Sequence, residues 1–204
     1  MKISIISGSH RNPSQSEKVA RHIEHTLHAE QPDTNTWLYT LADNPLPLWD
    51  QTLWKDDAEW NKRLAPLKQE LSSSDGFVIV TPEWHGQVPA GLKNFFLLFN
   101  RFELGHKPAL IVAVSSADGG AYPVVELRMS SYKNNRICYL PEHVIVRNVE
   151  NVLNDDAVEN DIGADVYYRE RISWALGILV GYAEALKPLR EKVQIHNKKF
   201  GNGM

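Results

Sequence analysis

The chain has 204 residues, 43% of them hydrophobic and 23% charged, with a formal net charge of −3. That length suits one domain able to bury roughly 70% of its unfolded surface, and the mild charge excludes an electrostatic case for nucleic acid or an anionic membrane as partner. A single cysteine, Cys138, excludes an intramolecular disulfide and CxxC chemistry.

The first residues enter an apolar run at once, without the h-region and cleavage site of a secretory signal. The longest apolar stretch, Trp174 to Leu186, is too short and too interrupted by glycine to span a bilayer. A cytoplasmic enzyme is expected, and the modest acidity argues against a pure electron shuttle. Ile3, Ile5 and Ile6 read as a strand buried on both faces. Gly8 ends it, Asn12-Pro13 marks a turn, and Ser14 with Glu17 three positions on is a capping box that opens a helix. The amides at a helix N-terminus favour an anion. Ser7, Ser9, Ser14 and Ser16 can donate to phosphate oxygens, and Arg11 can add a charge-assisted bond. The serines either hold a small terminal phosphate or only cap the helix. The loop carries neither Gly-x-Gly-x-x-Gly nor Gly-x(4)-Gly-Lys-[Ser/Thr], which argues against the usual dinucleotide fold and a P-loop.

Val19, Ile23 and Leu27 give this helix one apolar face up to about Glu30. His22, His25 and His28 drift around it at spacings of three and cannot converge on a metal, so a solvated face is expected. Thr36 to Leu41 is a second strand, and Ala42 to Leu53 a proline-blocked loop whose apolar residues must pack over an edge or a partner. Trp60, Leu64, Leu67 and Leu71 mark a helix from about Asp57 to Ser72, with Pro66 a candidate kink.

Phe77 to Thr81 is a third strand. It leads into the turn Thr81-Pro82-Glu83-Trp84-His85-Gly86-Gln87-Val88-Pro89 and a helix from about Ala90 to Asn100, where Pro89 suits the first turn. Leu92 to Phe99 is apolar around most of that helix, which predicts a homodimer or homotetramer interface. Pro108 to Val114 is a fourth strand, running into Ser115-Ser116-Ala117-Asp118-Gly119-Gly120 and a helix from about Val124 to Asn134. His143 to Val146 is the fifth. Asn148 to Asp165 reads as an irregular, acidic surface segment, either a lid or a partner contact. The last helix runs from about Tyr168 to Lys192, with Gly177 and Gly181 allowing a close approach to the sheet, and the tail after Val193 reads as frayed.

Strand and helix alternate five times, which means an α/β fold: a doubly wound, five-stranded parallel sheet. In the flavodoxin-like order 2-1-3-4-5, the turns after the first, third and fourth strands meet at the carboxyl edge, where such sheets bind ligands. One turn offers hydroxyls and a cation, the second amides, an aromatic ring and an imidazole, and the third glycine backbone open to close approach. A flat heteroaromatic ring with a phosphate tail, such as flavin mononucleotide (FMN), meets these demands.

Three stretches carry a resemblance. Gly8-Ser9-x-Arg11-x-x-Ser14-x-Ser16, then Thr81-Pro82-Glu83-Trp84-x-x-x-x-Pro89-x-x-Leu92-Lys93-Asn94, then the Gly119-Gly120 turn resemble the NADPH-dependent FMN reductase family, which includes quinone, azo and chromate reductases. The resemblance implies that Ser9, Arg11, Ser14 and Ser16 bind the FMN phosphate. It also implies that Pro82, Glu83, Trp84 and His85 line the isoalloxazine, and that Ser116, Asp118, Gly119 and Gly120 close over its other edge. Glu83 is expected to act through its backbone, since a carboxylate beside a reduced anionic flavin is repulsive. Asp118 either touches the ligand or caps the following helix, and His85 either meets the ligand or bonds its own loop. NADPH or NADH would be the hydride donor and a small molecule the acceptor. The alternatives are an FAD enzyme, which the short phosphate loop disfavours, and a non-catalytic carrier or flavin-binding regulator. Two departures stand out: Trp84 replaces a usual tyrosine, and Phe95-Phe96 replaces a small residue and an acid after Lys93-Asn94.

Overall fold

The structure is a computed structural model that describes residues 1–193 and 195–203. Five strands form one parallel sheet in the order β2-β1-β3-β4-β5. They are β1 (Lys2–Ser7), β2 (Asn35–Thr40), β3 (Gly76–Pro82), β4 (Pro108–Val114) and β5 (Cys138–Val146). The flavodoxin-like order expected from the sequence is the order found. Strands β3 and β4 are buried at every residue, as near-continuous apolar runs require of a sheet covered on both faces.

Side chains alternate between two cores because strand residues point to opposite faces. Ile3, Ile5, Val78, Val80, Leu110 and Val112 pack under α1 (Gln15–Glu30) and α5 (Ile162–Lys192). Ile6, Phe77, Ile79, Ala109 and Ile111 pack under α2 (Ala58–Ser72), α3 (Ala90–Leu98) and α4 (Ala121–Ser130). Fully buried Leu64, Leu92 and Phe95 each contribute about 1.5–3 kcal/mol by leaving water. Helix α1 begins as its capping signal predicts, the Ser14 side chain accepting from the Glu17 amide at 3.2 Å. Asp57 caps α2 in the same way, and that helix continues through Pro66.

Several boundaries differ from the sequence reading. Strand β5 starts at Cys138 and carries Pro141, with a register shift opposite Ala109–Ile111. The proline hides the strand from a pattern search, and the sheet tolerates it because β5 is an edge. Helix α5 starts at Ile162, six residues before Tyr168, because the Asp161 side chain caps the Ala164 amide at 2.9 Å. A Cβ built on Gly177 or Gly181 meets nothing within 4 Å, so these glycines face outward and do not bring the helix closer to the sheet. The segment after β5 is no loose surface loop: Val149, Val152 and Leu153 are buried in the α1–α5 core. The tail is docked, with Arg101 Nη1 donating to the Gly201 carbonyl at 2.6 Å and Arg136 donating to that of Phe200.

His22 also leaves the solvated face assigned to it, its Nε2 buried without a partner among the described residues. Burial, with Arg169 adding to it, holds its pKa down to about 4 against an ordinary 6.5. The unfolded chain takes up that proton as pH falls through 6.5, while the folded chain resists until about 4, so folding stability drops across this window. The His22→Gln protein is expected to lose less stability than wild type between pH 7 and pH 5. Urea titrations at the two pH values measure it, and equal losses would refute the assignment.

Candidate functional site

The turns that leave β1, β3 and β4 border one cavity of about 380 Å³ at the carboxyl edge of the sheet. Eight residues picked out in the sequence line it: Ser9, Arg11, Ser14, Ser16, Pro82, Glu83, Trp84 and Ser116. His85, Asp118, Gly119 and Gly120 do not. A larger hollow of about 450 Å³ lies apart, between α3 and α4. Val88, Phe96, Leu97 and Leu127 form much of its lining, and Lys93 and Glu126 at its side already neutralise each other.

The turn after β1 is a set of donors. The Gln15 and Ser16 amides open α1, where no intrahelical acceptor exists for them. Ser16 is 1% exposed and its hydroxyl has no hydrogen-bond partner among the described residues. An orphan hydroxyl of this kind costs about 1–3 kcal/mol, which an acceptor in the cavity relieves. The exposed Arg11 guanidinium stands at the same cavity, and the Ser9 hydroxyl accepts from the Arg11 amide at 3.3 Å. Helix-end amides, hydroxyls and a guanidinium fit a terminal phosphate.

In the turn after β3, the Glu83 amide is spent on the Val114 carbonyl at 3.0 Å. Trp84 and Gln87 exchange both backbone bonds around His85 and Gly86, whose φ values are +50° and +70°. This is a tight hairpin turn with both central residues left-handed, a role suited to glycine. The amides open to a ligand are therefore fewer than the sequence suggests, since Glu83 and Trp84 have used theirs. His85 sits exposed at the hairpin tip. Trp84 receives the His10 ring edge-on at 4.6 Å, a contact that the residue types alone did not disclose.

The turn after β4 depends on its two glycines. Gly120 has φ +102°, and a Cβ there would lie 2.4 Å from Ile145 Cγ2. A Cβ on Gly119 would lie 3.0 Å from Glu83 Oε1. Glu83 Oε2 accepts from the Gly120 amide at 2.5 Å, so the carboxylate and not the backbone reaches across to this turn. Asp118 does not cap α4, whose N-cap is Gly120 with no side-chain bond; its carboxylate accepts from Asn148 Nδ2 at 3.3 Å.

A fourth segment completes the cavity, and the sequence reading left its role open. Val149 and Glu150, just beyond β5, line the wall. Arg147 Nε donates to the Asp118 and Gly119 carbonyls at 2.7 and 3.0 Å, and the Asn148 and Val149 amides donate to Ala117 and Ser115. From the other side, Lys18 Nζ donates to Val149 O, Val152 O and Asn154 Oδ1 at 2.7, 2.9 and 2.6 Å. Burial lowers the Lys18 pKa, opposed by Glu150, Glu159, Asp165 and Asp155. The only advance signal was position: this segment leaves the same edge of the sheet as the other three turns.

The proline-rich loop after β2 is held in a similar way. Asn94 Nδ2 donates to the Pro47 carbonyl and Asn94 Oδ1 accepts from the Trp49 amide, both at 2.8 Å. Lys93 pairs with Glu126 of α4, whose Oε2 also accepts from the Val88 amide at 2.7 Å. An acid from α4 thus stands beside the motif lysine, while the positions after Asn94 are phenylalanines. The cavity holds no nucleophile seated against a base. Its polar groups are donors for an anion, and Pro82 and Trp84 offer flat apolar surface.

Known proteins resemble this chain in sequence and in fold. Residues 1–151 match the family model described as NADPH-dependent FMN reductase. An NADPH azoreductase of Bacillus sp. (strain OY1-2) is 28% identical over 146 residues, covering 72% of this chain and 76% of its own. A quinone reductase of Escherichia coli (strain K12) is 32% identical over 132 residues, covering 63% and 68%. Among solved structures, a flavoenzyme NAD(P)H:(acceptor) oxidoreductase from Paracoccus denitrificans superposes with a TM-score of 0.71 at 20% identity, covering 91% of this chain and 98% of its own. With the motifs, the sheet order and the match to the model in agreement, the chain belongs to the NADPH-dependent FMN reductase family.

Proposed function

We propose that the cavity at the carboxyl edge is the FMN site of an NAD(P)H oxidoreductase working on small-molecule acceptors of the quinone, azo, nitro, metal or free-flavin type. The observation that carries this is the buried Ser16 hydroxyl, without a partner among the described residues, beside the open amides of α1 in a cavity that Arg11 also borders. Ser9, Arg11, Ser14 and Ser16 hold the phosphate. Pro82 and Trp84 flank the ring, and from the turn after β4 it is Ser116 that borders the site. Bound FMN would supply an N5 able to take hydride from NADPH or NADH and to pass electrons on to a small-molecule acceptor, the ping-pong chemistry proposed for this site. The chain contributes binding, orientation and dipoles, and no cavity side chain is required as a general acid or base.

We place the homodimer contact on α3 and α4. Leu97, which lines the apolar hollow, is 64% exposed, and Tyr122, Val125 and Met129 of α4 are 69%, 59% and 72% exposed. Large apolar side chains left exposed on both helices that border the hollow are the surface an interface would cover. Within the described residues no helix is long and apolar enough to cross a membrane. The deciding experiment is the absorption spectrum of the purified protein before and after anaerobic NADPH. A flavin spectrum that bleaches with NADPH is expected. A colourless protein that refuses added FMN overturns the proposal, and a flavin that NADPH reduces only slowly favours a carrier instead.

A further inference from the structure

We infer that Glu83 is a positioning residue whose carboxylate locks the turn from Asp118 to Gly120 into shape and keeps a fixed negative charge against the cofactor. The inference rests on the FMN reading of the cavity. Gly120 is the N-cap of α4 with φ +102°, so its amide has no helical acceptor and takes the Glu83 carboxylate from 37 residues away at 2.5 Å. Gly119 leaves the space for that carboxylate, since a Cβ would lie 3.0 Å from Oε1. On its carbonyl side the same turn is gripped by Arg147 through the Asp118 and Gly119 oxygens. An anion on the N–H side and a cation on the carbonyl side fix the peptide planes between them. The Asp118 and Gly119 amides stay free of any acceptor among the described residues.

Glu83 also lines the cavity itself. A carboxylate there disfavours added electrons on a bound flavin through like-charge repulsion, so the same side chain sets both the wall and the ease of reduction. Charge and hydrogen bond separate in two variants. Glu83→Gln keeps an oxygen that accepts from Gly120 but loses the charge; Glu83→Ala loses both.

The test uses the full chain in three forms. In the flavin-free protein, exchange of the Gly120 amide is expected to speed up about tenfold in Glu83→Ala and far less in Glu83→Gln, as loss of one charge-assisted bond implies. In the FMN-loaded protein, Glu83→Ala is expected to bind FMN about tenfold more weakly. Glu83→Gln is expected to keep the affinity within a few fold and shift the flavin midpoint potential to a more positive value. Unchanged Gly120 exchange in Glu83→Ala overturns the tie, and an unchanged potential in Glu83→Gln overturns the charge role. Should wild type refuse FMN, the cofactor reading fails while the exchange comparison still judges the tie. Should Glu83→Ala fail to fold, Glu83→Gln carries the comparison of potentials.

Discussion

Arg11→Ala and Ser16→Ala are both expected to loosen FMN, yet to move the stability of the flavin-free protein differently. Arg11 is exposed and its guanidinium has no hydrogen-bond partner among the described residues. Losing its charge-assisted bond to phosphate removes about 1.5–3 kcal/mol, a weakening of roughly ten- to a hundredfold. The flavin-free fold should hardly notice, as surface changes lie within about 0.5 kcal/mol. Ser16 is the opposite case. Its hydroxyl is buried without a partner among the described residues, so Ser16→Ala relieves about 1–3 kcal/mol of desolvation. The flavin-free protein should melt a few degrees higher, since about 1 kcal/mol corresponds to 2–4 °C at this size. FMN should then bind about tenfold more weakly, through the loss of one phosphate contact. Fluorescence titration with FMN and thermal melts of the flavin-free variants read both effects. Retention of flavin through gel filtration equal to wild type, in both variants, would remove these residues from the phosphate site.

Leu97→Glu is expected to abolish the proposed homodimer and leave monomers. The helix that carries it reads from the sequence as apolar nearly all round, and the structure divides that character. Leu92, Phe95 and Leu98 belong to the chain's own core, Asn94 is spent on the loop after β2, and Leu97 is left 64% exposed. On α4, Tyr122, Val125 and Met129 are likewise exposed, at helical spacing. A charge buried there without a partner costs several kcal/mol, enough to outweigh a modest dimer affinity. Phe96 is a poorer probe, because it packs partly into the core and its replacement disturbs the monomer too. Sedimentation velocity reads the result, and an unaltered coefficient would rule out the α3–α4 contact.

Wherever a neighbour within about four residues sets the outcome, the sequence was readable. The Ser14 cap of α1 and the apolar runs of β1, β3 and β4 are such cases, and from their order came the topology of the sheet. Eight of the twelve candidate site residues line the cavity, all of them at or just beyond the ends of strands whose place was already legible; His85, Asp118, Gly119 and Gly120 follow the same strands and miss it, because the path of each turn is set by long-range contacts. Strand β5 escaped in part because Pro141 breaks the run on which a strand assignment depends, and an edge position is a property of the sheet and not of the segment.

What the sequence alone determined is the frame: a parallel sheet, two covered faces and an anion-seeking helix end at the carboxyl edge. Only the tertiary structure decided how the rim is tied together. Lys18 grips the segment after β5 from 131 residues away, Glu83 takes the Gly120 amide from 37, and the outward turn of Gly177 and Gly181 depends on which face of α5 meets the sheet. Propensity and periodicity act along the chain over a few residues, whereas a buried ammonium or carboxylate takes whichever dipoles the fold brings within about 3 Å. No local pattern encodes that choice.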